Sequence, residues 1–161
     1  MLILSVIIPI YNTAPYLERC VVSLMEQKLE EGIEYIFVND CSTDNSYELL
    51  HALLSRYSGR AHQIHVYTTP WHSGIGAARA LGMSHAKGDY IIHCDSDDWV
   101  SLDAYQSLAK RILDTSADLI LTDFFIEEES NTIRISYPER SICQRLSTGL
   151  WWMLWSHATK R

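Results

Sequence analysis

No two of the four cysteines, Cys20, Cys41, Cys94 and Cys143, form a C-x-x-C pair, which removes the usual framework for a zinc site or a disulfide-stapled fold. Reduced thiols in a cytosolic setting are the expectation. Basic charge is equally scarce: 13 Lys and Arg face 20 Asp and Glu, a net charge of -7. A nucleic-acid surface needs a basic patch to displace counterions, so this balance argues against nucleic acid as a partner. An anionic ligand would need local help. Long apolar runs are missing too. Residues 2–10 are apolar but too short to cross a bilayer, and they lack the basic start and small-residue cleavage site of a secretory signal. There is no internal repeat, low-complexity segment or Pro/Gly-rich linker, so the 161 residues read as one domain able to bury its own core.

What the sequence does have is alternation. Residues 5–10 are apolar on both faces, as a central parallel strand would be. Leu17, Cys20, Val21 and Leu24 then recur at i, i+3, i+4 and i+7, the stripe of an amphipathic helix. Residues 35–38 read as a second strand. A helix follows with Tyr47, Leu50 and Leu54 on one face, and Ser42, Thr43 and Asp44 are available to cap it. Residues 64–67 precede a small-residue helix over 74–85. Residues 90–94 precede another, striped by Leu102, Tyr105, Leu108, Ala109 and Ile112, and residues 119–122 close the series as a fifth strand. This spacing predicts βαβ units: an α/β fold with a mostly parallel sheet, flanking helices and right-handed crossovers.

In an open α/β sheet the ligand lies outside the carboxyl ends of the strands. The residues collected there are Tyr11, Asn12, Asn39, Asp40, Trp71, His72, Ser73, Asp95, Asp97, Asp98 and Asp123. Loops are polar for ordinary reasons, but this joint placement points to a site. The stretch H-C-D-S-D-D-W at 93–99 packs three carboxylates into four residues behind an apolar strand. Such groups repel one another, which raises their pKa values or demands a cation. Oxygen-only ligands suit magnesium or manganese, ions that keep positions for water and substrate phosphates. A phosphorylated substrate completing the shell is the implication. The alternative is that Asp97 and Asp98 cap the following helix, where negative charge is favoured. His93 shares a strand face with Asp95, although a packed or hydrogen-bonded histidine suits that position better than a metal ligand.

Four motifs occur in order at strand ends: S-V-I-I-P-I-Y-N at 5–12, F-V-N-D-C-S-T-D at 37–44, G-I-G-A-A-R-A-L-G at 74–82 and G-D-Y-I-I-H-C-D-S-D-D at 88–98. Together they resemble family 2 glycosyltransferases of the Rossmann-like GT-A fold, over most of residues 3–125. The resemblance implies transfer of a sugar, with inversion, from a nucleotide-diphosphate sugar, a UDP-sugar by preference. It implies that Pro9, Tyr11 and Asn12 line the nucleoside pocket, with Tyr11 packing on the base, and that Asp40 accepts from the uracil ring. Arg79 would lie near the nucleotide. Asp95-Ser96-Asp97 would be the D-x-D of the nucleotide site: Asp95 meets the ribose, and Asp97 with Asp95 holds the Mn2+ or Mg2+ that bridges the diphosphate. Asp98 would orient the donor sugar.

The same resemblance puts the general base, an Asp or Glu, well downstream of the D-x-D, and W-S-H-A-T-K-R at 155–161 resembles the stretch before it. The expectation is a single nucleotide-sugar-binding domain over 1–161 that stops before the acceptor segment. The acceptor would be a saccharide or lipid-linked, as in cell-surface polysaccharide synthesis. The expected location is cytoplasmic, with peripheral attachment to a membrane as the alternative. Two motifs depart from the family: N-x-G reads His72-Ser73-Gly74 and A-R-N reads Ala78-Arg79-Ala80. G-I-G-A-A imitates a dinucleotide fingerprint but follows the third strand, whereas that fingerprint belongs in the first βα turn. The rival readings are a nucleotide-sugar-binding domain without catalysis and a metal-dependent nucleotidyltransferase, the latter lacking a Gly-rich basic loop in the first turn. Glu127-Glu128-Glu129 reads as a solvated turn, and Trp151, Trp152 and Trp155 as one side of a terminal helix covering a further segment or a homodimer contact.

Overall fold

The computed structural model describes residues 1–115, 117–128, 131–136 and 157–160. The chain runs β1 (Leu4–Ile10), α1 (Ala14–Met25), β2 (Ile33–Asn39), α2 (Ser46–Leu54), β3 (Ile64–Thr68), α3 (Ile75–His85), β4 (Tyr90–His93), α4 (Ala104–Thr115), β5 (Leu119–Leu121), β6 (Phe124–Glu128), β7 (Asn131–Ile135) and β8 (His157–Lys160), with a 3-10 segment between α2 and β3. Every residue of β1 and β2 is buried. Burial on both faces is what their unbroken Val/Ile content requires, because a parallel strand in mid-sheet meets side chains above and below. The sheet order is β3-β2-β1-β4-β8-β5, with the first four strands parallel.

Alternate residues of β1 serve two cores. Leu4, Val6, Ile8 and Ile10 face Leu17, Cys20, Val21 and Leu24 of α1, Leu50 and Leu53 of α2, and Tyr105, Leu108 and Ile112 of α4. Ile7 faces the other way, with Ile36, Val38 and Ala78 of α3. The small residues of α3 let it approach the sheet closely: a Cβ built at Gly82 would stand 2.5 Å from Ile7 Cγ2. Beneath the sheet, buried Glu34 accepts the Ser5 hydroxyl (2.6 Å) and the Lys87 N–H (2.6 Å), which fixes the turn that launches β4.

The chain builds outward from β1 to β3 and then returns to β4 on the other side of β1, so the strand order reverses between β1 and β4. That reversal opens a crevice at their carboxyl ends. Pro9 sits at its base. Odd residues of β1 point their backbone groups toward β4, since Ile3 and Ile7 carbonyls accept the Tyr90 and Cys94 N–H groups. The next N–H on that side belongs to residue 9, and proline has none. The two strands therefore part without leaving a buried donor unpaired.

Several sequence expectations are corrected here. The fifth strand is not the neighbour of the fourth: β8 lies antiparallel between β4 and β5. α4 begins at Ala104, with Leu102 52% exposed ahead of it and outside the helical stripe. Asp97 and Asp98 thus stand too far upstream to cap it; the Asp103 carbonyl takes the Ser107 N–H instead. Glu127 and Glu128 belong to β6, paired with β7 in a hairpin, and Glu127 binds Arg19 at 3.1 Å. Cys143, Trp151, Trp152 and Trp155 lie outside the described residues.

Candidate functional site

Two corners flank the crevice. The first is built on β2, whose last residue hands the chain to Asp40, 2% exposed. Asp40 Oδ1 accepts the Thr69 hydroxyl (2.7 Å) and the Ser73 N–H (2.9 Å), while Oδ2 accepts the Gly74 N–H (2.7 Å) and lies 2.8 Å from His72 Nδ1. Burial alone would push this carboxyl up; the donors from Ser73, Thr69 and Gly74, with His72 beside them, more than offset it and hold it below its ordinary range. An ionised carboxylate only accepts, so His72 Nδ1 carries the proton. The His72 ring also stacks on Tyr11 at the end of β1, centroids 3.9 Å apart and planes 18° apart. Gly74, at φ 84, lets the backbone turn into α3 while its N–H faces the carboxylate.

The first βα turn is occupied. Asn12, at φ 53, is not turned into an open pocket: its Oδ1 accepts the Thr43 (2.7 Å) and Asp44 (3.2 Å) N–H groups. Successive N–H groups of Asn12, Thr13 and Ala14 are taken by Ser42 Oγ, Ser46 Oγ and Asp44 Oδ2. Asp44 also accepts the Ser46 N–H at 3.0 Å, so one carboxylate serves the starts of α1 and α2. A phosphate finds no cradle of open N–H groups here, which argues against both dinucleotide binding and a phosphate-loop nucleotidyltransferase.

The second corner is the loop after β4. Asp95, Asp97 and Asp98 each offer a carboxylate oxygen, all within 4.8 Å of one another. Arg79 of α3 donates Nη2–H to Asp95 Oδ1 at 2.6 Å, both side chains being largely buried. Three carboxylates and one guanidinium leave a local charge of about -2. Burial pushes the Asp98 carboxyl up, and Asp97 and Asp95 push it further. The set is hard, oxygen-only and underneutralised, which fits magnesium or manganese. His93 does not join it. Its Nδ1 is buried without a hydrogen-bond partner, and burial, with Arg79 adding to it, lowers the imidazole to about 4 against the pull of Asp95.

The structure brings Tyr11, Asp40, His72 and Ser73 together at one corner and Arg79, Asp95, Asp97 and Asp98 at the other. It turns two expected site residues inward. Pro9 is buried within β1, and Ser96, 3% exposed, shares its hydroxyl proton with Thr13 Oγ1 at 2.9 Å. Asp123 stays outside the acidic cluster, paired with Arg134.

The model of Glycosyl transferase family 2 matches residues 5–158. The chain belongs to that family. One family relative, glycosyltransferase GlyA of Streptococcus pneumoniae serotype 4, is 35% identical over 127 residues, 79% of this chain and 17% of GlyA. Among solved structures, Staphylococcus aureus TarS 1–349 in complex with UDP superposes with a TM-score of 0.68 at 26% identity, covering 74% of this chain and 35% of TarS. A mannosyltransferase of Pyrobaculum calidifontis in complex with GDP-Man and Mn2+ shares the fold at a TM-score of 0.60 and 22% identity, covering 73% and 34%. The mostly parallel sheet with flanking helices is thus the GT-A fold, and the chain spans only a fraction of the family members it matches. Sequence reasoning assigned no part to Thr13, Thr69 or His72. Only His72 carried a signal, as the departure from N-x-G.

Proposed function

We propose that residues 1–161 form the donor-binding part of a metal-assisted, inverting glycosyltransferase that takes its sugar from a nucleotide-diphosphate sugar, a UDP-sugar by preference, for an acceptor hydroxyl. The observation that carries this is the Asp95–Asp97–Asp98 cluster within 4.8 Å, set across the crevice from the Tyr11–Asp40 corner. A diphosphate approaching a local charge of about -2 is repelled, so the pair fits only with a cation between them. A divalent ion held by Asp97 and Asp95 would supply Lewis-acid stabilisation of the charge that develops on the leaving diphosphate.

The remaining roles fall to the chain itself. Arg79 holds Asp95 in place by the 2.6 Å contact and keeps its second oxygen available to a ribose hydroxyl. Asp98, whose carboxyl is raised, faces the donor sugar and can donate as well as accept. Tyr11 offers a ring face to the base, and Asp40 an acceptor for a ring N–H. Asn12, Thr13 and Ser96 position the two loops. The UDP bound by TarS supports the uracil preference. The general base, which must take the acceptor's proton, we assign to a segment beyond Arg161.

Calorimetric titration of UDP tests the reading, with manganese, with chelator instead, and on Asp97→Ala. Binding that needs both manganese and Asp97 is the expected result. If UDP, GDP and dTDP all fail to bind with manganese present, the donor-site reading is wrong.

A further inference from the structure

A planar nitrogen heterocycle already occupies the Tyr11–Asp40 corner, and it belongs to the protein. The His72 imidazole lies on Tyr11 at 3.9 Å and 18°, and its Nδ1–H points at Asp40 Oδ2 at 2.8 Å. Those are the two contacts that a pyrimidine with a ring N–H would make there. A gap of 3.9 Å is one stacking distance, so no third ring fits between the two. Asp40 has no acceptor to spare either: its two oxygens already meet four donors, from Thr69, Ser73, Gly74 and His72. Of these four, three are held by the backbone or by a residue at the buried end of β3. The His72 side chain is the movable one, half exposed at 51% and attached to a surface loop.

We infer that His72 is a resident stand-in for the nucleobase, so that the donor binds by replacing the imidazole on Tyr11 and Asp40 and not by filling an empty pocket. This rests on the donor-site reading above and adds a specificity element to it. A base that merely stacks would exchange one ring for another and gain little. A base that also offers a ring N–H to Asp40 repays the whole displacement, so the exchange favours rings carrying that donor over rings without it. Apparent affinity is lowered by the fraction of molecules whose corner is already taken.

The test compares UDP with inorganic pyrophosphate, each with manganese, on the wild-type chain and on His72→Ala. Removing the competitor should tighten UDP by about three- to tenfold, while pyrophosphate, which never meets the corner, changes by less than about twofold. In the wild type the His72 ring proton resonances, shifted upfield by Tyr11, should move downfield on adding UDP and stay put with pyrophosphate. Weaker or unchanged UDP binding by His72→Ala, or ring resonances indifferent to UDP, overturns the substitution while leaving the donor site intact. Absence of nucleotide binding by both proteins overturns the donor site and this inference with it.

Discussion

Thr13 and Ser96, 83 positions apart in the chain, share a hydroxyl–hydroxyl hydrogen bond of 2.9 Å that joins the turn after β1 to the middle of the D-x-D. Ser96 is 3% exposed, so its hydroxyl has no recourse to water. Thr13→Val should cost about 1–2 kcal/mol, the penalty for stranding a buried hydroxyl. It should also weaken manganese binding, because the loop carrying Asp95 and Asp97 loses its tether. Urea unfolding and a manganese titration read the two effects, and Thr13→Ser should restore both.

Asp40 is a buried anion at the start of α3. Asp40→Asn keeps the shape but turns two donors toward each other, an amide N–H2 against Gly74 and His72, and should cost about 2–3 kcal/mol near neutral pH. The folded carboxyl lies below its ordinary 3.8, so its stabilisation is present above that value and is lost as pH falls through the lower, folded one. Unfolding free energies measured from pH 6 downward should therefore converge for wild type and Asp40→Asn in acid.

His93 works in the opposite pH range. Its folded imidazole titrates at about 4 against an ordinary 6.5, so unfolding takes up a proton between those values. Stability should fall as pH drops from 6.5 toward 4, with up to about one proton per molecule in the slope. His93→Gln should flatten that segment of the curve, measured as urea midpoints at half-unit intervals.

Asp98 is held against its charge by burial and by Asp97 and Asp95. Asp98→Asn should raise the thermal midpoint of the metal-free protein by about 2 °C. Saturating manganese should erase or reverse that advantage, since the ion stabilises the wild-type cluster more. A variant that stays ahead with manganese present would mean that Asp98 is no part of the cation site.

The βαβ series is legible in the sequence because its signals are local. Ser5 to Ile10 can only be a strand buried on two faces, and Leu17, Cys20, Val21 and Leu24 can only be a helix facing it. The acidic corner is legible for a related reason: Asp95, Asp97 and Asp98 are neighbours in the chain before they are neighbours in space. What the sequence hides is non-local. β8 occupies a slot between β4 and β5 that no property of His157–Lys160 announces, and the β6–β7 hairpin hides its polar edge behind a Glu run that reads equally as a turn. The inward orientation of Ser96 depends on Thr13, and the saturation of Asp40 depends on a loop 29–34 residues later. Motif matching assigns a residue type to a site; only the fold says which way its side chain turns.

The position of β8 also orders events during synthesis. β4 exposes Tyr90 and Ile91 on an unpaired edge until His157–Lys160 emerges to pair with it, and β5 has no place in the sheet before then. From Leu121 to Lys160 translation takes about 2–8 s. For that interval the nascent chain presents an open strand of the kind that recruits other strands, directly beside the loop that carries the acidic cluster.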